Sequence, residues 1–109
     1  MKLIIAIVQD EDSHKLMNKL TEEGFSFTKL ATTGGFLRSG NTTLLIGIEE
    51  DKVDAVIDII ERVCKTRDQY ITSVPPAGGT TGMFYSQPVE VTIGGATIFV
   101  VDVDKFKKV

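Results

Sequence analysis

A pattern that occurs twice constrains the fold of this chain more than any other feature. Segments 5–12 (IAIVQDED) and 46–53 (IGIEEDKV) each join an apolar run rich in isoleucine to a cluster of acids. Such runs are typical of buried strands, and acids favour the first turn of a helix. Both clusters lead into apolar residues at helical spacing, which are Leu16, Met17 and Leu20 in the first half and Val56, Ile57 and Ile60 in the second. The chain therefore looks like a diverged duplication of a strand-helix unit.

Further strands are predicted after each helix. Gly24 is the expected stop of the first helix, and the alternation in 25–32 (FSFTKLAT) predicts a strand. The run 43–48 predicts the strand that leads into the second helix. Near the end, apolar segments flank Gly94-Gly95, a glycine pair that permits the positive φ angles of a tight turn, so we predict a hairpin there.

This order of elements predicts one α+β domain over residues 1–109. We expect the ferredoxin-like βαββαβ topology, an antiparallel sheet with two helices on one face, plus a C-terminal hairpin strand. A short loop at 33–42 would join strands 2 and 3, and a long loop at 66–88 would join helix 2 to strand 4. Long loops inside compact domains are most often functional or mobile.

The second face of such a sheet needs a cover. Its apolar residues, among them Phe25, Phe27 and Phe99, are too many to leave in water on a monomer. We therefore expect the sheets of several copies to pack together in a closed symmetric oligomer.

Composition excludes several classes of function. The 109 residues carry a formal net charge of -3, so the chain has no basic field that would draw it to a nucleic-acid polymer. The apolar run 3–8 (LIIAIV) is too short for membrane insertion or for a signal peptide, so we expect a cytoplasmic protein. His14 is the single histidine and has no second histidine or cysteine beside it to complete a metal site, so no metal site is predicted.

The segment 31–43 (ATTGGFLRSGNTT) is the best candidate for a binding site. Its glycines allow a ligand to approach the backbone, and Phe36 offers a flat face on which a base can stack. Asn41 carries a carboxamide that can donate and accept at adenine N6 and N7 together, and Arg38 carries a fork suited to phosphate. On composition alone, a glycine-rich hairpin loop with Phe36 pinned to the sheet is an equal alternative.

A resemblance of longer segments to a known family favours the binding site over the plain hairpin loop. The strings IIAIVQDED, KLATTGGFLRSGNTT and VEVTIGGATIFVVDVDKF, at 4–12, 29–43 and 89–106, together with their spacing, resemble the PII-like cyclic di-AMP receptor family. The likeness covers nearly the whole chain. It implies a homotrimer that binds one cyclic di-AMP in each cleft between neighbouring subunits, without catalysis. Binding would rearrange the loops and so change how the trimer meets an unknown downstream protein.

The resemblance also implies the binding residues. Carried over by position, the family's pocket falls on Phe27, Thr28, Gly35, Phe36, Leu37, Asn41, Gly47 and Phe99. Relatives often carry arginine at the position of Ser26 and a polar side chain at that of Gly24, so this chain lacks one expected phosphate contact. Arg38 or Lys29 is a candidate substitute for it.

Two other functions stay open on sequence grounds. One is a PII-like sensor of ATP or another adenine nucleotide. The other is a small enzyme similar to acylphosphatases, which use an arginine and an asparagine, here Arg38 and Asn41. The arginine of that family follows the first strand, where this chain has the acidic segment 9–12 (QDED), which would repel a phosphate.

Overall fold

The computed structural model describes residues 1–30, 40–72 and 88–109. Its elements, in chain order, are β1 (Lys2–Gln9), α1 (Asp10–Glu22), β2 (Thr28–Lys29), β3 (Asn41–Ile48), a 3-10 turn (Glu50–Lys52), α2 (Val53–Cys64), β4 (Arg67–Thr72), β5 (Pro88–Ile93) and β6 (Ala96–Asp102). No helix within these ranges has the length and apolar character needed to cross a bilayer.

An antiparallel sheet of four strands, in the order β2-β3-β1-β6, forms the body of the protein. Both helices contact β1 and pack against each other. This mixed α/β arrangement is compatible with the predicted ferredoxin-like topology, with β6 in the place of the fourth strand.

The core lies between the helices and one face of the sheet. Its fully buried residues are Ile4, Ala6 and Val8 of β1, Leu16 and Leu20 of α1, Leu44 and Ile46 of β3, and Val56, Ile60 and Cys64 of α2. Even-numbered residues of β1 and β3 therefore face the helices. Because side chains alternate along a strand, the odd-numbered residues face the other way.

Helix α1 ends at Glu22, and Gly24 follows shortly after as the predicted stop. Gly24 has a φ of 83°, which is the left-handed conformation that glycine adopts without steric cost. Its N–H donates to the Thr21 carbonyl at 3.0 Å, and the Phe25 N–H donates to the Leu20 carbonyl at 2.8 Å. This pair of bonds is a Schellman motif, and it turns the chain so that Phe25 packs on the core.

Two predictions about the strands are wrong. The predicted C-terminal hairpin does not form, because β5 pairs with β4 in a separate two-stranded sheet and β6 pairs with β1. Gly94 and Gly95 connect the two sheets instead of closing a tight turn. The segment predicted as a loop at 66–88 also begins with a strand, β4.

The alternation in 25–32 predicted a second strand, and within the described part of it, 25–30, the strand covers Thr28–Lys29. The Leu30 N–H also donates to the Thr43 carbonyl of β3, at 3.0 Å. Phe25 and Phe27 both pack against the helix-facing core, so the predicted place of Phe25 on the uncovered face is wrong. Among residues 25–30, the apolar alternation therefore begins before the residues whose backbones pair with β3.

The opposite face of the large sheet, which we call the open face, carries the odd-numbered residues of β1 and β3 and their partners. One row across it is Thr28, Leu45, Ile5 and Phe99, each paired with the next. Phe99 is 52% exposed and Val101 is 42% exposed. Large apolar side chains on this face are therefore accessible in a single chain.

Candidate functional site

Four of the predicted binding residues share the open face. Asn41 and Gly47 lie at the two ends of β3, Thr28 lies on β2, and Phe99 lies on β6. Asn41, Leu45 and Gly47 lie on one face because they are two, four or six residues apart along β3. Thr28 and Phe99 share that face through the register of β2 and β6. The sheet thus brings residues from distant parts of the sequence to one surface.

A cleft of about 300 Å³ opens beside Gly47. We call it the Gly47 cleft, and its lining residues are Ser26, Phe27, Thr28, Leu45, Gly47, Phe106, Lys107 and Lys108. Four of the ten predicted site residues, including Ser26, therefore meet in one concavity. Phe27 reaches it while also packing against the core.

Gly47 leaves the cleft open. Although Gly47 lies inside a strand, no described atom is within 4 Å of the place where a Cβ would stand. Packing among the described residues therefore does not require glycine at this position. A glycine that leaves free space in front of a strand allows another molecule to approach the backbone closely.

The charge of the Gly47 cleft comes from the C-terminal segment. Lys107 and Lys108 are the charged residues among its lining, so the cleft is positive although the whole chain has a net charge of -3. Neither lysine is among the binding residues that the family resemblance implies. The sequence shows a basic end, but it cannot show that this end lies beside Thr28 and Gly47.

Asn41 occupies the far end of β3. It pairs with Gln9 of β1, whereas Gly47 pairs with Leu3. Gly47 is six positions along the extended strand from Asn41, a distance of about 20 Å. A second cleft, of about 270 Å³, lies beside Asn41 and is bounded by Gly94 and Gly95. In one chain, Asn41 and Gly47 therefore belong to separate clefts.

Phe99 and Thr28 are also far apart within one chain. They lie on the two edge strands of the large sheet, with β3 and β1 between them. Three strand spacings correspond to about 14 Å, so one aromatic base cannot touch both side chains.

The remaining predicted residues are Gly35, Phe36, Leu37 and Arg38, which lie outside the described residues. The alternative contact proposed for Lys29 is not favoured by its position. Lys29 pairs with Leu44, a core residue, and so belongs to the helix-facing side of the sheet.

The region after β1 does not form a phosphate-binding loop. Strand β1 ends at Gln9 and α1 begins at Asp10, so no loop separates them. The Asp12 carboxylate is buried and paired with Arg67 at 2.7 Å. This geometry disfavours the acylphosphatase-like function, which needs an open cationic loop at this place.

Cys64 is not available as a nucleophile at neutral pH. Burial raises the pKa of its thiol to about 11, and the nearby Asp12 carboxylate acts in the same direction. Because the thiolate is the reactive form of cysteine, the side chain acts as a small apolar residue of the core. Across ranges 1–30, 40–72 and 88–109, no three metal-binding side chains come together.

Comparison with known proteins gives the chain a family. A solved structure titled "The crystal structure of a functionally unknown protein from Pediococcus pentosaceus ATCC 25745" is similar, with 42% sequence identity and a TM-score of 0.76 over 99% of this chain and 96% of that one. The family model described as "Cyclic-di-AMP receptor" matches residues 1–109. A match over the full length, on the fold described above, shows that this chain belongs to the cyclic-di-AMP receptor family.

Proposed function

We propose that this protein is a non-catalytic receptor for cyclic di-AMP. The observation that carries the proposal is the Gly47 cleft, a positive concavity on the open face that contains family-predicted binding residues. Cyclic di-AMP has two adenine bases and two phosphodiester groups, and each phosphodiester carries one negative charge. Its recognition therefore needs cationic groups, hydrogen-bonding groups and apolar surface together.

Lys107 and Lys108 are proposed to supply the phosphate contacts that Ser26 cannot make. Both lysines line the same cleft as Ser26 and Thr28. Two ammonium groups balance the charge of two phosphodiesters, and charge-assisted hydrogen bonds are about twice as strong as neutral ones. The Thr28 hydroxyl and backbone N–H groups would add uncharged contacts.

A second copy of the chain is proposed to complete the site. In one chain, Thr28 and Phe99 are about 14 Å apart, and Asn41 and Gly47 are about 20 Å apart, so the predicted residues do not surround one base. In a closed ring of copies, Phe99 of one subunit would approach the Gly47 cleft of the next. The exposed Phe99 and Val101 would then be covered, which agrees with the proposed homotrimer.

Adenine recognition is assigned to Asn41 and to the segment that precedes it. The exposed side chain of Asn41 lies on the open face at the start of β3. Its carboxamide would read adenine N6 and N7, and Phe36 would stack on the base. Stacking of this kind contributes about 1–3 kcal/mol per base.

The response to the ligand is proposed to pass to a partner protein through the connecting segments. The β4-β5 sheet is a candidate surface for that partner, because it stands apart from the large sheet and Tyr70 on it is 66% exposed. No feature of the described residues identifies this partner protein.

Calorimetry with cyclic di-AMP, cyclic di-GMP and ATP tests the proposal directly. We expect tight binding of cyclic di-AMP alone, with one ligand per chain, and a trimer by light scattering. Equal affinity for ATP would favour the adenine-nucleotide sensor and contradict the proposed specificity. A monomer that binds cyclic di-AMP with full affinity would contradict the shared site.

A further inference from the structure

We propose that Asp10 is a positioning residue for Asn41. It fixes the place of the Asn41 carboxamide on the open face and does not itself touch the ligand. The proposal rests on the assignment of Asn41 to adenine recognition made above. Its basis is a pair of hydrogen bonds that hold the residues on both sides of Asn41.

The first bond holds Gly40. The backbone N–H of Asp10 donates to the Gly40 carbonyl at 2.8 Å. Asp10 is the first residue of α1, and the first N–H groups of a helix have no partner within the helix. Gly40 supplies a partner for one of them, and it does so with a φ of 110°, a conformation that favours glycine.

The second bond holds Thr42. The Thr42 hydroxyl donates to Oδ1 of Asp10 at 2.5 Å. Thr42 is 4% exposed, so its hydroxyl has little access to water as an alternative partner. A hydrogen bond to a carboxylate is stronger than one between neutral groups, and the loss of a buried partner is costly.

Together these bonds leave Asn41 little freedom. Asp10 contacts Gly40 and Thr42, the residues on either side of Asn41, and Asn41 itself pairs with Gln9 on β1. The backbone of Asn41 is therefore held on three sides, and only its side-chain torsions remain to be ordered. A binding group that is ordered in advance loses less entropy when the ligand arrives.

The sheet separates Asp10 from the ligand. Thr42 is an even-numbered residue of β3 and points to the helix side, where it meets Asp10. Asn41 points to the open face, because adjacent side chains on a strand take opposite faces. Any effect of Asp10 on ligand affinity must therefore pass through the backbone of β3.

The test is a double-mutant cycle with purified full-length protein and cyclic di-AMP. We expect Asp10→Ala and Thr42→Val each to weaken binding about tenfold, in the range found for coupled neighbours. The same changes made in an Asn41→Ala background should weaken binding little further. Glu11→Ala is the matched control, since it removes an exposed acid from the same helical turn and should bind as the wild type does.

Selectivity provides a readout that a loss of stability alone would not change. If Asp10 positions the adenine-reading carboxamide, Asp10→Ala should reduce the preference for cyclic di-AMP over cyclic di-GMP, as Asn41→Ala does. Thr42→Ser retains the hydroxyl and should restore binding close to the wild-type value. Should Asp10→Ala fail to fold, the contrast between Thr42→Val and Thr42→Ser carries the test.

The outcomes separate the two proposals. A wild-type protein that does not bind cyclic di-AMP would overturn the receptor function and the positioning role together, and unchanged binding by Asn41→Ala would remove the role of both residues. The third outcome requires that the wild type binds cyclic di-AMP and that Asn41→Ala does not. In that case, equal affinities of Asp10→Ala and Glu11→Ala for the ligand overturn the positioning role alone. Equal further losses in the Asn41→Ala background also overturn it, because the two residues would then act independently.

Discussion

Arg67 donates two hydrogen bonds to the carboxylate of Asp12, at 2.7 and 3.4 Å, and so joins the first residue of β4 to the first turn of α1. The Asp12 side chain is 4% exposed. Its hydrogen bond and negative charge raise the pKa of Arg67. The link holds the base of the two-stranded sheet against the body of the protein.

Arg67→Ala should therefore lower thermal stability. The change leaves the buried Asp12 carboxylate without its cationic partner, and an uncompensated buried charge is costly. Asp12→Asn should cost less, because it removes the charge and leaves Arg67 free to reach water. The control is Arg62→Ala, whose pair with Asp58 is largely exposed on both sides and contributes little. Melting temperatures by circular dichroism check the order, and an equal effect of Arg67→Ala and Arg62→Ala would contradict it.

Gly47→Leu should strongly weaken cyclic di-AMP binding without unfolding the chain. A leucine at this position fills the Gly47 cleft, while no described atom within 4 Å obstructs its Cβ. We expect binding to fall by more than about tenfold, which corresponds to about 1.4 kcal/mol. Calorimetry measures the affinity, and the melting temperature should stay close to that of the wild type. Full binding by Gly47→Leu would place the ligand elsewhere.

Gly94→Ala should greatly lower the stability of the fold, whereas Gly47→Leu should leave it nearly unchanged. An added Cβ would lie 2.5 Å from the Lys65 carbonyl oxygen and 2.8 Å from Nη1 of Arg67, and the φ of 85° already favours glycine. The substitution would push β5 and β6 away from the end of α2. Denaturant unfolding of Gly94→Ala beside Gly47→Ala provides the comparison. Similar midpoints for the two variants would show that this close contact is not important.

Replacement of Lys107 and Lys108 by glutamine should weaken binding and reduce its dependence on salt. Both lysines line the Gly47 cleft, and each lost charge-assisted contact to a phosphate should cost about tenfold in affinity. Lys15→Gln on the exposed side of α1 is the control for net charge. Titrations at two salt concentrations measure the effect. An unchanged salt dependence in the double variant would mean that the phosphates lie away from these lysines.

Stability should fall as pH rises from 9 towards 11. The pKa of the Cys64 thiol is raised from 9.0 to about 11 in the folded chain, so the unfolded chain loses this proton first. The contribution of this thiol to folding stability is fully present below pH 9.0 and is lost as pH approaches 11, by about 3 kcal/mol in total. Cys64→Ala should show a shallower fall over this window. A residual fall is expected from Lys2, whose pKa is raised by its contact with Asp102.

The central strands and helices could be predicted because their signals are local. Leu16 and Leu20, or Val56 and Ile60, show their common face through spacing along a few turns. The pairing of β5 could not be predicted in this way. Glycine pairs between two strands usually mark a hairpin, but here the Gly94 N–H donates to Oε1 of Gln9, 85 positions away.

The candidate site also has parts that follow from local sequence patterns and parts that depend on long-range contacts. The even spacing of Asn41 and Gly47 puts them on one face because both lie in β3, but the sequence predicted a strand only over 43–48 and placed Asn41 in the preceding loop. The arrival of Lys107 and Lys108 beside Thr28 depends on the path of the chain after β6, which no periodicity reports. The sequence therefore shows the two lysines, but it does not show which surface of the folded protein they reach.

Strand β3 also limits how the length of this chain can change. Its even-numbered residues are buried under the helices, and its odd-numbered residues point to the open face. Insertion of one residue in the middle of β3 would invert the orientation of every later side chain, so that Ile46 would leave the core and Gly47 would enter it. Natural gains or losses of residues should therefore be confined to the connections outside this strand, or occur there in pairs.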